Sequence, residues 1–240
     1  MPMSAENGAA PDRFVFDDSR FLFAFTHDMR SHLRTVLTRI QLVQAGAGAT
    51  LPEAEKAFLT EAAAAAGDMN GLRTALVSYG DVTAKSDSLP LSILLRGVLI
   101  ANEGTLQAAE AEVVVANDIA EAGIHVPVAL QGVFKELLSN AVRFRRADTR
   151  LRIAITARRG DNDHVEMAVA DNGPGVPAAD TERIFAPFQR LLSRAEYPGH
   201  GMGLAIARRI LTAYQGSIAA EPTPGGGLTV RMLVPASTRA

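Results

Sequence analysis

From Leu22 to Val43, apolar residues recur at steps of three and four: Leu22, Phe25, Met29, Leu33, Val36, Ile40 and Val43. That spacing describes one face of a long helix from about Asp18 to Ala45, with a nearly heptad rhythm. "GAGATLP" breaks the pattern, and Pro52 suits the first turn of a second helix. The second stripe runs Phe58, Ala62, Ala65, Met69, Leu72, Leu76 and Tyr79. Two such helices joined by a short loop make an antiparallel hairpin. A lone hairpin covers both of its long apolar faces poorly. The pattern therefore predicts a homodimer through a four-helix bundle, in preference to packing on the rest of the chain alone.

The remainder is mixed. Residues 1–17 are expected to be disordered, 18–82 to form the hairpin, and 83–90, inside "GDVTAKSDSLP", to be a linker. Residues 91–236 read as a second domain. Helices are expected near 91–103, 128–144 and 203–214. Strands are expected at Glu112–Ala116, Ile124–Val126, Arg150–Arg158, His164–Ala170, Ser217–Glu221 and Thr229–Val234, with a short helix or turn near 180–188. This is an α+β chain: an N-terminal helical hairpin followed by an α/β sandwich, with one helical layer on a mostly antiparallel sheet.

Charge and composition exclude several classes. A net charge of −2 gives no bulk attraction to nucleic acid or to an anionic membrane. No apolar run approaches the roughly 20 residues of a membrane helix, and the N-terminus lacks a signal-peptide pattern. Cysteine is absent, which removes disulfides and thiol chemistry. A cytoplasmic protein without membrane insertion or nucleic-acid binding is expected.

Three stretches carry candidate chemistry. In "VALQGVFKELLSNAVRF", Glu136, Asn140 and Arg143 share one helical face. An acid, an amide and a cation so stacked suit Mg²⁺ and phosphate oxygens, or simply a solvated face. In "DNGPGVP", Gly173 and Gly175 allow close approach to the backbone, and Asp171 at a strand end can accept a hydrogen bond from an exocyclic amine; the same residues also make an ordinary turn. In "GHGMGLAIARRI", Gly199, Gly201 and Gly203 run into a helix start, where free N–H groups favour anions. Between the last two lie Phe185 and Phe188 of "IFAPFQRL", which brace the loop or pack in the core.

The order of these segments resembles the GHKL ATPase fold, and within it the catalytic domain of sensor histidine kinases. "ELLSNAVRF" is similar to their N box, "DNGPGVP" to the G1 box, "IFAPFQR" to the F box and "GHGMGLAIARRI" to the G2 box. "FQRLLSRAEYPGHGMGLAIARRI" resembles the phytochrome-type group, with its short ATP lid. "FAFTHDMRSHLRTVL" resembles the H box of the dimerisation hairpin. The resemblance implies ATP and Mg²⁺ as cofactors, with Mg²⁺ on Asn140 and Glu136. It places the nucleotide on Asn140, Arg143, Asp171, Gly173, Gly175, Phe185, Phe188, Gly199, His200, Gly201, Gly203 and Leu204. It also implies that His27 takes the γ-phosphoryl group, with Asp28 orienting it and taking its proton, and passes it to an aspartate on a response-regulator receiver domain. His27 lies two residues from both Phe25 and Met29, about 200° around the helix, so it points away from the apolar stripe. With no sensor domain evident in the chain, a separate sensor protein is one expected partner.

Several positions depart from the family pattern. His32 replaces a Pro usual five residues after the phosphoacceptor, and is a rival acceptor that flanks the stripe. Ser31 falls where regulator phosphatases place Thr or Asn. Glu136 stands for the more common Asn, Arg143 for Lys, and His200 for a small residue. Two other readings are an adaptor that relays phosphate with a vestigial ATP site, and a GHKL serine kinase. The second would leave the hairpin and its histidine unexplained.

Overall fold

In the computed structural model, α1 (Ser19–Ala47) and α2 (Glu53–Gly80) form the expected hairpin, with Pro52 as the N-cap of α2. The structure describes residues 19–47, 50–82, 84, 87–116, 119, 123–160, 163–191, 197 and 199–236, so the expectation for residues 1–17 lies outside the described residues. Packing divides the α1 stripe in two. Within the stripe Leu33 and Ile40 are buried, as is Thr26 off it at the same spacing of seven, whereas Val36 and Val43 of the stripe and Leu42 beside it are exposed. A helix in a bundle touches two neighbours, so one stripe feeds two seams. The α2 stripe divides along its length instead. The buried residue of α2 is Ala66, which lies off the stripe, while Phe58, Ala62, Ala65 and Met69 of the stripe stand exposed. Leu72, Leu76 and Tyr79, nearer its end, pack against the core of the C-terminal domain.

The segment expected as a linker contains a strand, β1 (Ser88–Pro90). It pairs antiparallel with β3 (His125–Pro127), Leu89 opposite Val126. Two prolines in six residues concealed this short ladder from pattern reading. The helix expected at 91–103 is divided into α3 (Leu91–Ala101) and α4 (Glu103–Ala108). The main sheet has the order β2-β4-β5-β7-β6. It comprises β2 (Glu112–Val115), β4 (Arg152–Arg159), β5 (His164–Asp171), β6 (Ser217–Pro222) and β7 (Leu228–Pro235). All its pairings are antiparallel except β2 with β4, which is parallel.

Strict alternation on β4 and β5 sends Ile153, Ile155, Val165, Met167 and Val169 to one buried face. Against it lie α3, α5 (Leu130–Arg143) and α6 (Gly203–Ala213). From α5, Val133, Phe134, Leu137 and Leu138 enter the core, which turns the helix's other face toward the end of β5. The region 180–188 holds two single 3₁₀ turns, Ala178–Asp180 and Arg183–Phe185.

Candidate functional site

Where α5, the end of β5 and the start of α6 meet, the chain encloses a cavity of about 320 Å³, at the small end of the range for ligand sites. Apolar walls come from Leu137, Val169, Ile184, Leu204 and Val230. Asp171, Asn140 and Arg143 supply polar groups.

Asp171 ends β5 and is fixed by backbone. Its Oδ1 accepts from the Gly173 N–H (2.8 Å) and the Leu228 N–H (3.2 Å), so among the described residues Oδ2 remains for a ligand. Burial raises its pKa, partly offset by those two hydrogen bonds. Its neighbour Asn172 serves the fold. The amide completes the ladder at β4, accepting from Arg152 N–H (2.8 Å) and donating to the Arg150 carbonyl (2.9 Å).

The loop "PTPGGG" between β6 and β7 is part of this construction. Gly227 has φ +108°, and a Cβ there would overlap the Asp171 carbonyl oxygen. Only glycine lets this turn approach Asp171 closely enough for the Leu228 N–H to reach the carboxylate. The three consecutive glycines before the final strand were the available signal.

The glycine loop 199–203 closes the far side. Arg190 donates to the carbonyls of Gly199 and Tyr197, and the Tyr197 ring packs on Phe144 with centroids 5.2 Å apart. The Arg143 guanidinium lies against Gly199. Gly201, at φ +69°, would put a Cβ 2.7 Å from the Gln189 carbonyl oxygen. The first-turn amides of α6 follow, so cations and free N–H groups converge on one end of the cavity.

The remaining site expectations fall outside the lining. Glu136 sits behind the wall, its carboxylate pressed on Gly203 at the N-terminus of α6, where it faces the positive end of the helix. Burial raises its pKa, with Lys135 and Arg143 acting in the opposite sense. Phe185 is a core side chain, 2% exposed, with the Arg208 guanidinium 4.4 Å above its ring. Arg208 also holds Glu182 through two nitrogens (2.6 and 2.9 Å), tying the 3₁₀ segment to α6. Phe188 is exposed, at φ +61°. Gly173 acts through Asp171. His200 turns to α2, with Nε2 2.7 Å from where a Cβ on Gly71 would stand. Among the described residues no group of three or more His, Asp or Glu is placed to hold a metal.

On the hairpin, the side chains of His27 and Asp28 are 70% and 80% exposed. His27 Nδ1 lies 3.4 Å from Asp28 Oδ1. Ser31 and His32 are exposed as well. The Arg209 guanidinium stacks on Tyr79 at 4.5 Å, joining α6 to α2.

Residues 125–238 match the family described as histidine kinase-, DNA gyrase B-, and HSP90-like ATPase. The phytochrome-like protein Cph1 of Synechocystis sp. is 32% identical over 227 residues, which are 93% of this chain and 30% of Cph1. The adaptive-response sensory kinase SasA of a Synechococcus sp. is 27% identical over 237 residues, 96% of this chain and 62% of SasA. Residues 125–238 thus carry the ATPase domain of that family, and over most of its length the chain is similar to sensory kinases of this kind. It spans less than two thirds of the length of either relative. The solved structure of full-length ShkA in complex with AMPPNP shares its fold, with a TM-score of 0.72 at 23% identity over 92% of this chain and 47% of that one. No helix among the described residues is long and apolar enough to cross a membrane.

Proposed function

We propose that the chain is the kinase core of a two-component system, working as a cytoplasmic homodimer. It binds ATP in the cavity, transfers the γ-phosphoryl group to His27, and passes it to an aspartate on a response-regulator receiver domain. The observation that carries this reading is the exposed His27–Asp28 pair on a hairpin whose second helix docks on the cavity-bearing domain.

The residues divide the work by chemistry. The apolar walls suit a purine, and Asp171 Oδ2 suits the exocyclic amine of adenine. The loop 199–203, Arg143 and the start of α6 suit the phosphates. Mg²⁺, when bound, neutralises phosphate charge; the amide oxygen of Asn140 fits it, with phosphate oxygens and waters completing a hard-oxygen shell. Glu136, pressed on Gly203, would steady the start of the phosphate loop.

At the acceptor, Asp28 favours the tautomer with the proton on Nδ1, which makes Nε2 the nucleophile. Nε2 forms a bond to the γ-phosphorus as the bond to the bridging oxygen breaks. ADP leaves with that electron pair, and the Nδ1 proton passes to Asp28. Catalysis is mostly positioning and charge neutralisation. Ser31, one turn from His27, would be the residue to orient a water in any regulator dephosphorylation.

Incubation with γ-labelled ATP tests the reading. Wild type should take up label that is acid-labile and base-stable, and His27→Ala should abolish labelling while nucleotide binding persists. Label retained in His27→Ala would move the acceptor elsewhere, with His32 the first to examine. Acid-stable label would point to a serine kinase, and no ATP binding at millimolar concentration to a phosphotransfer adaptor.

A further inference from the structure

Asp171 can distinguish bases only if its carboxylate is held in one orientation, and the two N–H groups that hold it belong to different turns. Gly173 lies in the turn after β5, and Leu228 follows the triglycine turn before β7. Gly175 and Gly227 interlock the two, since a Cβ on Gly175 would stand 2.7 Å from the Gly227 carbonyl oxygen. One side chain bridges them. Arg146, three residues beyond the end of α5, donates from Nε to the Gly173 carbonyl at 3.1 Å. Its Nη2 lies against Gly226, 3.0 Å from where a Cβ would be.

We propose that Arg146 is a positioning residue for base selection: by locking the Gly173 turn to the Gly225–Gly227 turn, it holds Asp171 in the orientation that accepts an adenine amine and rejects a guanine carbonyl. Arg146 does not line the cavity. It acts through the backbone N–H groups that fix Oδ1. A carboxylate is an acceptor only, so a carbonyl on the base, as in guanine, sets acceptor against acceptor. That repulsion excludes GTP only while Asp171 cannot turn away. A planar fork that bonds one turn and braces another suits this role better than an ammonium.

The inference rests on the reading of the cavity as an ATP site, and competitive binding of ATP and GTP to the full chain separates the two. Wild type should prefer ATP. Arg146→Ala should weaken ATP by about three- to tenfold, the net worth of one ordinary hydrogen bond. GTP affinity should hold or rise, so the ATP-to-GTP ratio narrows. Arg146→Lys, whose donors all sit on one nitrogen and so serve one turn at a time, should recover part of the ratio. Gly226→Ala, which crowds Nη2 and strains φ +111°, should narrow it independently. Should Arg146→Ala fail to fold, Arg146→Gln, which keeps an N–H for the Gly173 carbonyl, carries the comparison. An unchanged ratio in Arg146→Ala, or equal losses for ATP and GTP, would overturn the inference and leave the ATP site standing. Failure of wild type to bind ATP would overturn both.

Discussion

The hairpin and the sandwich treat their apolar residues differently. In the sandwich, Leu94, Leu130, Val133 and Phe134 are fully buried within one continuous core. In the hairpin, Val36, Leu42, Val43, Phe58 and Met69 are 43–67% exposed, although each long helix already packs on the other. The sandwich closes on itself because a sheet face and three helices enclose a volume. Two helices enclose almost none, so these side chains stay at the surface. Burial is therefore concentrated in the C-terminal unit, while the exposed apolar side chains of the N-terminal unit suit the association proposed above.

The same substitution in each region breaks or supports that contrast most directly. Phe134→Ala should cost about 3–5 kcal/mol in denaturant unfolding at any protein concentration. Phe58→Ala should leave monomer stability nearly unchanged and instead lower the association constant, read by sedimentation. A concentration-independent loss in Phe58→Ala of the Phe134→Ala size would remove the distinction.

The junction between the regions gives a smaller effect. Gly67 and Gly71 lie one turn apart on α2; a Cβ on Gly67 meets nothing within 4 Å, whereas one on Gly71 meets His200 at 2.7 Å. Gly67→Ala should stabilise the helix by about 0.5–1 kcal/mol. Gly71→Ala should lose that gain to crowding of His200 and weaken nucleotide binding, since His200 sits within the glycine loop. Equal effects at both positions would show that the loop does not sense α2.

The smallest effect is with pH. Asp171 and Glu136 both titrate higher when folded, chiefly through burial. The folded chain therefore binds more protons than the unfolded one just above the ordinary carboxylate range. Nucleotide-free stability should fall as pH rises through that window, and the slope should shrink in Asp171→Asn. A slope unchanged in that variant would place the titration elsewhere.

Much of this was legible from residues alone. The regular stripes of α1 and α2, the alternation on β4 and β5, and the turn residues after Asp171 each follow from local periodicity or backbone sterics, which a linear reading captures. The sheet's one parallel pair, β2 with β4, was not legible, because pairing direction is set by the path of the chain between strands. Phe185 and Phe188 could not be separated by type; packing buried one beneath Arg208 and left the other at the surface. Glu136 shares a helix face with Asn140, yet only the arrival of α6 at Gly203 set it behind the cavity wall.

What the sequence by itself determined was the set of elements and the chemistry on offer: a helical hairpin with an exposed His27, and a carboxylate, an amide and glycine turns in the order of a nucleotide site. Those features are local, fixed by side-chain spacing over a few residues. Tertiary structure alone decided which of them meet. The triglycine turn braces Asp171 from 57 residues away, Arg146 bridges two turns, and His200 faces Gly71, because such contacts depend on how separate elements pack, and no spacing along the chain encodes that.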